Sequence, residues 1–208
     1  RNLWAHLDNI QHFVRKRRKG KGISWPHLQW PRQRSIFTQD AIVSPARTTI
    51  RGRRPSFALN APGYFYTSDC TLFTKMEELP SRNDVSKEYL VGILNSSLIY
   101  WWLSLQQVAT GQYDRIGISP NHLNNLPIPI LNESIQRQIE AIVKNAQHAL
   151  ANIDYIENRP HRFRQSTEHT NIQDTAIQQI DDILYTSLGL SNEDRIQIHR
   201  FLSQYEDP

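Results

Sequence analysis

A single cysteine, Cys70, is all the thiol chemistry in this chain of 208 residues. One cysteine excludes an intramolecular disulfide framework and a Cys-x-x-Cys zinc site, and makes a reducing cytoplasm the default compartment. Cys70 lies in a strand-like run, where it reads as a small buried hydrophobe and not as a nucleophile. The phosphate-binding pattern Gly-x-x-x-x-Gly-Lys-Ser/Thr is missing, so "KGKG" at 19–22 is not a phosphate loop. Gly-x-Gly-x-x-Gly and His-Glu-x-x-His are missing too, and the eight histidines are scattered without metal-ligand spacing. No two prolines are adjacent, and no N-terminal stretch has the build of a signal peptide. The chain begins at Arg1 and not at Met, from which we expect a piece of a longer protein whose catalytic part lies elsewhere.

Acidic residues are scarce at one end. Residues 1–55 carry 13 Lys and Arg against two acids, Asp8 and Asp40, whereas the remainder carries 11 against 18. Such asymmetry points to a polyanionic partner at the basic end, and phosphate backbones are the commonest, because bound cations release condensed counterions. Apolar residues make up 38% of the chain and mean hydropathy is −0.58, enough to bury a core in one large domain.

The stretch "YLVGILNSSLIYWWLSLQ", residues 89–106, carries no charge. Leu90, Leu94, Leu98, Trp101, Leu105 and Val108 fall three or four apart, so a helix over 86–108 is predicted, capped by Ser86 or Asp84. A membrane span needs about 20 mainly apolar residues. Asn95, Ser96 and Ser97 interrupt this one, so a buried core helix is the better reading.

Around it, "LWAHLDNIQHFV" predicts a short helix at 3–14, and "RKRRKGKG" ends it as a basic loop. Trp25-Pro26 and Trp30-Pro31 hold the chain extended. Residues 36–75 read as a β-hairpin or meander with a turn at "NAPG", and Arg51, Gly52, Arg53 and Arg54 form a basic turn between two strands. Residues 107–130 read as a glycine-bearing loop and an extended proline segment. Asn132 caps a helix whose Ile135, Ile139, Ile142, Ala146, Ala149, Ile153 and Ile156 keep heptad spacing. A helix carrying Ile172, Ala176, Ile180, Ile183 and Leu184 makes the second arm of a helical hairpin, followed by a glycine stop, a Ser191 cap and a short closing helix. The predicted fold is α+β: a small, mainly antiparallel sheet packed with the buried helix, then a C-terminal helical hairpin. The expected division is residues 1–130 for recognition and 131–208 for the hairpin and closing helix.

No catalytic constellation emerges. Asp69 suits a buried acceptor, and Asp181-Asp182 are successive helix positions that do not face each other, so a shared proton is not expected. The positive signal is basic and loop-borne. Arg15, Lys16, Arg17, Arg18, Lys19 and Lys21 suit phosphates. Arg47, Arg51, Arg53 and Arg54 suit phosphates or guanine O6 and N7, while Gln112, Tyr113 and Arg115 carry base-edge chemistry.

"EYLVGILNSSLIYWWL", a glycine-bearing loop, "LNNLPIPI" and "IQRQIEAIV", together with the upstream "SPARTTIRGRRPSFALNAPGYFYTSDCTLF", resemble the TaqI-like C-terminal specificity domain of adenine-N6 DNA methyltransferases and type IIG restriction-modification enzymes. The tail "AIQQIDDILYTSLGLSNEDRIQI" is similar to the closing segment of such enzymes, and the likeness runs over about residues 30–200. The resemblance implies double-stranded DNA as partner, together with a methyltransferase domain of the same parent chain. That separate domain would bind S-adenosylmethionine and flip the target adenine. The family's catalytic Asn/Asp-Pro-Pro-Tyr/Phe is absent from this chain, so no cofactor and no turnover are expected of it. The alternatives are half of a type I restriction specificity subunit, which would suit the "LPIPILNESIQRQIEAIV" junction, and a helical protein-interaction module.

Overall fold

The computed structural model describes residues 41–45, 47–49, 54–60, 70–73, 85–109, 115–118, 126–153 and 167–206. All of them belong to one compact unit, Gln39–Pro208. The helix expected at 3–14, the basic run 15–22 and the Trp-Pro pairs lie outside the described residues. In chain order the elements are β1 (Ala41–Pro45), β2 (Arg47–Thr49), β3 (Ala58–Asn60), β4 (Cys70–Phe73), α1 (Lys87–Asn95), α2 (Ser97–Ala109), β5 (Arg115–Gly117), α3 (Glu133–Ala151), α4 (Thr167–Ser187) and α5 (Asn192–Glu206). Helices dominate, and the strands form two small antiparallel sheets.

In the three-stranded sheet β1 is central, flanked by β3 and β4. The "NAPG" turn and the residues that follow it up to 69 lie, apart from Asn60, outside the described residues. Ile42 faces Leu59 on one side and Phe73 on the other. The basic segment 50–53 joins strands of different sheets, because β2 pairs with β5 and not with β3. β5 itself falls where a loop was expected. Three residues between glycine and proline carry too little periodicity to announce a strand.

The predicted single helix breaks at Ser96, which adopts φ −65° and ψ 154°. Its hydroxyl donates to Ile93 C=O at 2.7 Å, closing α1, and accepts Ile99 N–H at 3.3 Å, opening α2. One serine thus satisfies orphan groups of two helix ends. The break also shifts the buried face. Tyr89, Ile93, Ile99, Tyr100 and Leu103 are almost fully buried, whereas Leu105 of the expected stripe is exposed. No helix among the described residues is long and apolar enough to cross a membrane.

Local signals elsewhere correspond to what forms. Ser86 Oγ accepts Tyr89 N–H at 3.1 Å and donates to Glu140 Oε1 at 2.6 Å, so the cap of α1 also ties it to α3. Asn132 Oδ1 accepts Ile135 N–H at 3.0 Å. Gly189, at φ 69°, ends α4 with Leu190 N–H donating to Tyr185 C=O and Gly189 N–H to Thr186 C=O, the paired bonds of a Schellman turn. Ser191 and Asp194 then form a reciprocal capping box for α5.

Helix α1 packs on α3, α4 and β3, while α2 packs on α4, α5 and β5. The approach of α1 is close at Gly92, where an added Cβ would stand 2.5 Å from Ile139 Cγ2. Ile139 and Val143 of α3, Ile180, Leu184 and Tyr185 of α4, and Ile198 and Leu202 of α5 complete one core with α1 and α2.

Candidate nucleic-acid interface

The sequence nominated three separated stretches, and the β2–β5 ribbon joins two of them, those of Arg47 and Arg115. Arg47 pairs with Gly117, Thr48 with Ile116 and Thr49 with Arg115. Because Thr49 faces Arg115, β2 leaves the ribbon at the end where β5 enters it. Consecutive Cα atoms are about 3.8 Å apart. Segment 50–53, with Arg51 and Arg53, and segment 110–114, with Gln112 and Tyr113, are therefore tethered to one end of one ribbon. Ile118, immediately beyond β5, is buried.

Arg51, Arg53, Gln112 and Tyr113 lie outside the described residues, as do Arg15, Lys16, Arg17, Arg18, Lys19 and Lys21; for Arg47 and Arg115 the backbone places them as above. Arg54 is described in full and is half-buried. Its Nη1 donates to Ser97 Oγ at 2.8 Å, and its guanidinium stands over the Tyr100 ring, 5.6 Å from the centroid. Such stacking suits the planar, weakly hydrated guanidinium.

Residues after Arg54 are clamped as well. Asn95 Oδ1 accepts Phe57 N–H at 3.0 Å, while Asn95 Nδ2 donates to Phe57 C=O and to Val91 C=O, each at 2.8 Å. The amide serves the Phe57 backbone as a neighbouring strand would. The "NSS" triplet, noticed in the sequence only as an interruption, is thus where the segment leaving the arginine turn is held.

The partner of Ser97 was missed in the sequence. Asp181 of α4 is 4% exposed, and its Oδ1 accepts Ser97 N–H at 2.8 Å, capping the start of α2 from 84 residues away. Burial raises its carboxyl above the ordinary 3.8; the Ser97 hydroxyl and N–H, Arg54 and His199 oppose that rise. Tyr185, one helical turn on, is raised too, by burial and by the Asp181 charge. Nothing in a single Asp among helical residues announces a partner so distant in sequence. Among the described residues, no group of three His, Cys, Asp or Glu side chains could hold a metal ion.

The model of the TaqI-like C-terminal specificity domain matches residues 8–128, more than half of the chain and all of the nominated basic and base-edge residues. The structure is similar to that of the Type IIL restriction-modification enzyme MmeI, solved in complex with DNA. The TM-score is 0.56 at 15% identity, over 98% of this chain and 26% of that one. Likeness at that identity speaks of fold alone, and this chain spans about a quarter of the MmeI chain. No curated protein matches the chain.

Proposed function

The chain belongs to the TaqI-like C-terminal specificity domain family, and from that membership we propose that it recognises duplex DNA sequence-specifically for a restriction-modification enzyme. On this reading the catalytic steps belong to another domain of the parent, an adenine-N6 methyltransferase using S-adenosylmethionine, alone or fused to an endonuclease. The observation that carries the reading is the Thr49–Arg115 pair, which tethers two nominated loops to one ribbon end within the family-matched span.

Arg47, Arg51 and Arg53 then contact phosphates or guanine, and Gln112, Tyr113 and Arg115 meet base edges. The basic run from Arg15 to Lys21 tracks the backbone. A solved relative of the same fold bound to DNA supports the assignment of a DNA partner. The finer fold reading, in which residues 1–130 recognise DNA and 131–208 buttress them, belongs to the same proposal.

The test is binding to duplex DNA across salt concentrations. Each phosphate contact contributes roughly 0.9 to the log-log slope. Replacing Arg47, Arg51 and Arg53 with Ala should flatten that slope stepwise. A slope indifferent to these replacements, or no salt dependence at all, would favour the protein-interaction alternative. Calorimetric titration with S-adenosylmethionine should give no heat of binding.

A further inference from the structure

We propose that Asp181, on helix α4 and outside the family-matched segment, is a positioning residue for DNA recognition, acting through Ser97 and Arg54 on the arginine segment 51–53. The inference rests on the reading of the chain as a DNA-recognition module.

The chain of contacts is continuous. Asp181 Oδ1 holds Ser97 N–H at 2.8 Å. Ser97 Oγ accepts from Arg54 Nη1 at 2.8 Å, and Arg54 follows Arg53 directly. Arg54 is attracted to Asp181 and stacks on Tyr100 of the same helix. Two residues further, Asn95 fixes Phe57 by its N–H and C=O. The C-terminal end of the arginine segment is therefore fastened to the α1–α2 junction, and the junction is fastened to α4. A cation whose guanidinium is engaged inside the fold is ill placed to read DNA, so Arg54 locates its neighbours.

Asp181 caps the start of α2 through the Ser97 N–H and so ties α4 to the junction, although an apolar residue would pack there without a buried charge. Its ionised form is disfavoured by burial, and buried ion networks are often no better than apolar replacements.

The experiment compares wild type, Asp181→Asn, Ser97→Ala, Arg54→Ala and the Arg54→Ala/Asp181→Asn double variant. It reads DNA affinity and, separately, amide hydrogen exchange at Phe57 and Ser97. Simple electrostatics says that removing an acid strengthens binding to a polyanion. The proposal says the opposite: Asp181→Asn weakens binding by about 2- to 30-fold in a chain that remains folded, the range of couplings carried through packed networks. Ser97→Ala, which keeps the charge, shifts binding in the same direction. Arg54→Ala and Asp181→Asn combine less than additively, because they break one chain of contacts. Exchange at Phe57 N–H speeds up in Asp181→Asn. Folded Asp181→Asn with wild-type or tighter affinity overturns the proposal alone, as does unchanged exchange at Phe57. Failure of wild type to bind DNA at low salt overturns the functional reading, and this inference with it. If Asp181→Asn does not fold, Ser97→Ala decides on the same two readouts.

Discussion

Phe57 and Asn95 exchange two hydrogen bonds: the backbone N–H donates to Oδ1 at 3.0 Å, and Nδ2 donates to the backbone C=O at 2.8 Å. A side-chain amide carries one donor edge and one acceptor edge, as a peptide does, so it can continue a backbone ladder where no strand is present. Asn95→Ala leaves both Phe57 groups without these partners. Each hydrogen bond lost contributes about 0.5–1.5 kcal/mol net, so a loss of about 1–3 kcal/mol is expected in urea unfolding. Asn95→Asp should do no better than alanine, since it keeps the acceptor but turns a carboxylate toward the carbonyls of Phe57 and Val91. Wild-type stability in Asn95→Asp would show that the donor edge is dispensable.

Tyr89 joins the buried helix to the proline segment. Its hydroxyl donates to Pro129 C=O at 2.7 Å and accepts Leu131 N–H at 3.4 Å. Burial holds its phenol above the ordinary 10.0, which keeps the donating proton in place. Tyr89→Phe removes both bonds and no volume of consequence. It should cost about 0.5–1.5 kcal/mol per bond lost, with faster amide exchange at Leu131. If exchange there is unchanged, the hydroxyl does not hold the segment.

What could be read from the sequence was local chemistry. Ser86, Asn132 and Ser191 cap helices because a short side-chain oxygen reaches an N–H three residues on, and Gly189 stops one because, lacking a Cβ, it adopts the left-handed turn without steric cost. Ile139 and Ile180 were readable as core from helical spacing. The remainder depends on partners far along the chain. Nothing near residue 42 states that both 59 and 73 lie beside it. Polar residues in an apolar run, such as Asn95 to Ser97, signalled an exception without revealing Phe57, Arg54 or Asp181. At the site, the arginine-rich turn and the Arg115 loop were legible as cations. Their common ribbon was not, because a strand as short as β5 carries almost no pattern.

Gly92 lets α1 approach α3. An added Cβ meets Ile139 Cγ2 at 2.5 Å and Val143 Cγ2 at 3.2 Å. Helix propensity alone would favour alanine by about 1 kcal/mol, while overpacking costs about 1–3 kcal/mol. Both contacting atoms belong to β-branched residues with little rotamer freedom in a helix. Gly92→Ala should therefore lose stability on balance. Combining it with Ile139→Leu, which removes the branch at Cβ, should recover part of the loss. Additive effects in that pair would place the clash elsewhere.

The Tyr185 hydroxyl is buried without a hydrogen bond of regular geometry, under an Arg195 guanidinium 5.5 Å from the ring centroid and against the edge-on His199 ring at 6.0 Å. Removing a buried hydroxyl whose contact, with Ser97, is weak spares its desolvation. Tyr185→Phe is expected to be neutral or stabilising, by up to about 1 kcal/mol, in thermal or urea unfolding. A clear loss would mean that the contact with Ser97 is not weak.

Asp181 makes a pH-dependent version of the same argument. Its folded carboxyl is raised above the ordinary 3.8 by burial, against the opposing pull of Ser97, Arg54 and His199. Besides His199, Tyr185 is coupled to it, and the phenol stays neutral in this range. A raised acid binds its proton more tightly folded than unfolded, so its contribution is fully present below the unfolded value and is lost as pH rises through the folded one. Wild-type stability, taken relative to Asp181→Asn, should fall as pH climbs upward from 3.8 and then level off once the folded carboxyl is ionised. Taking the difference removes the titration of groups common to both chains. A flat difference would mean that Arg54 and His199 fully compensate the burial. A rising one would mean that the ion cluster holds the fold together, which would remove the reason for assigning Asp181 a role in placing the arginine segment and not simply in keeping the helices packed.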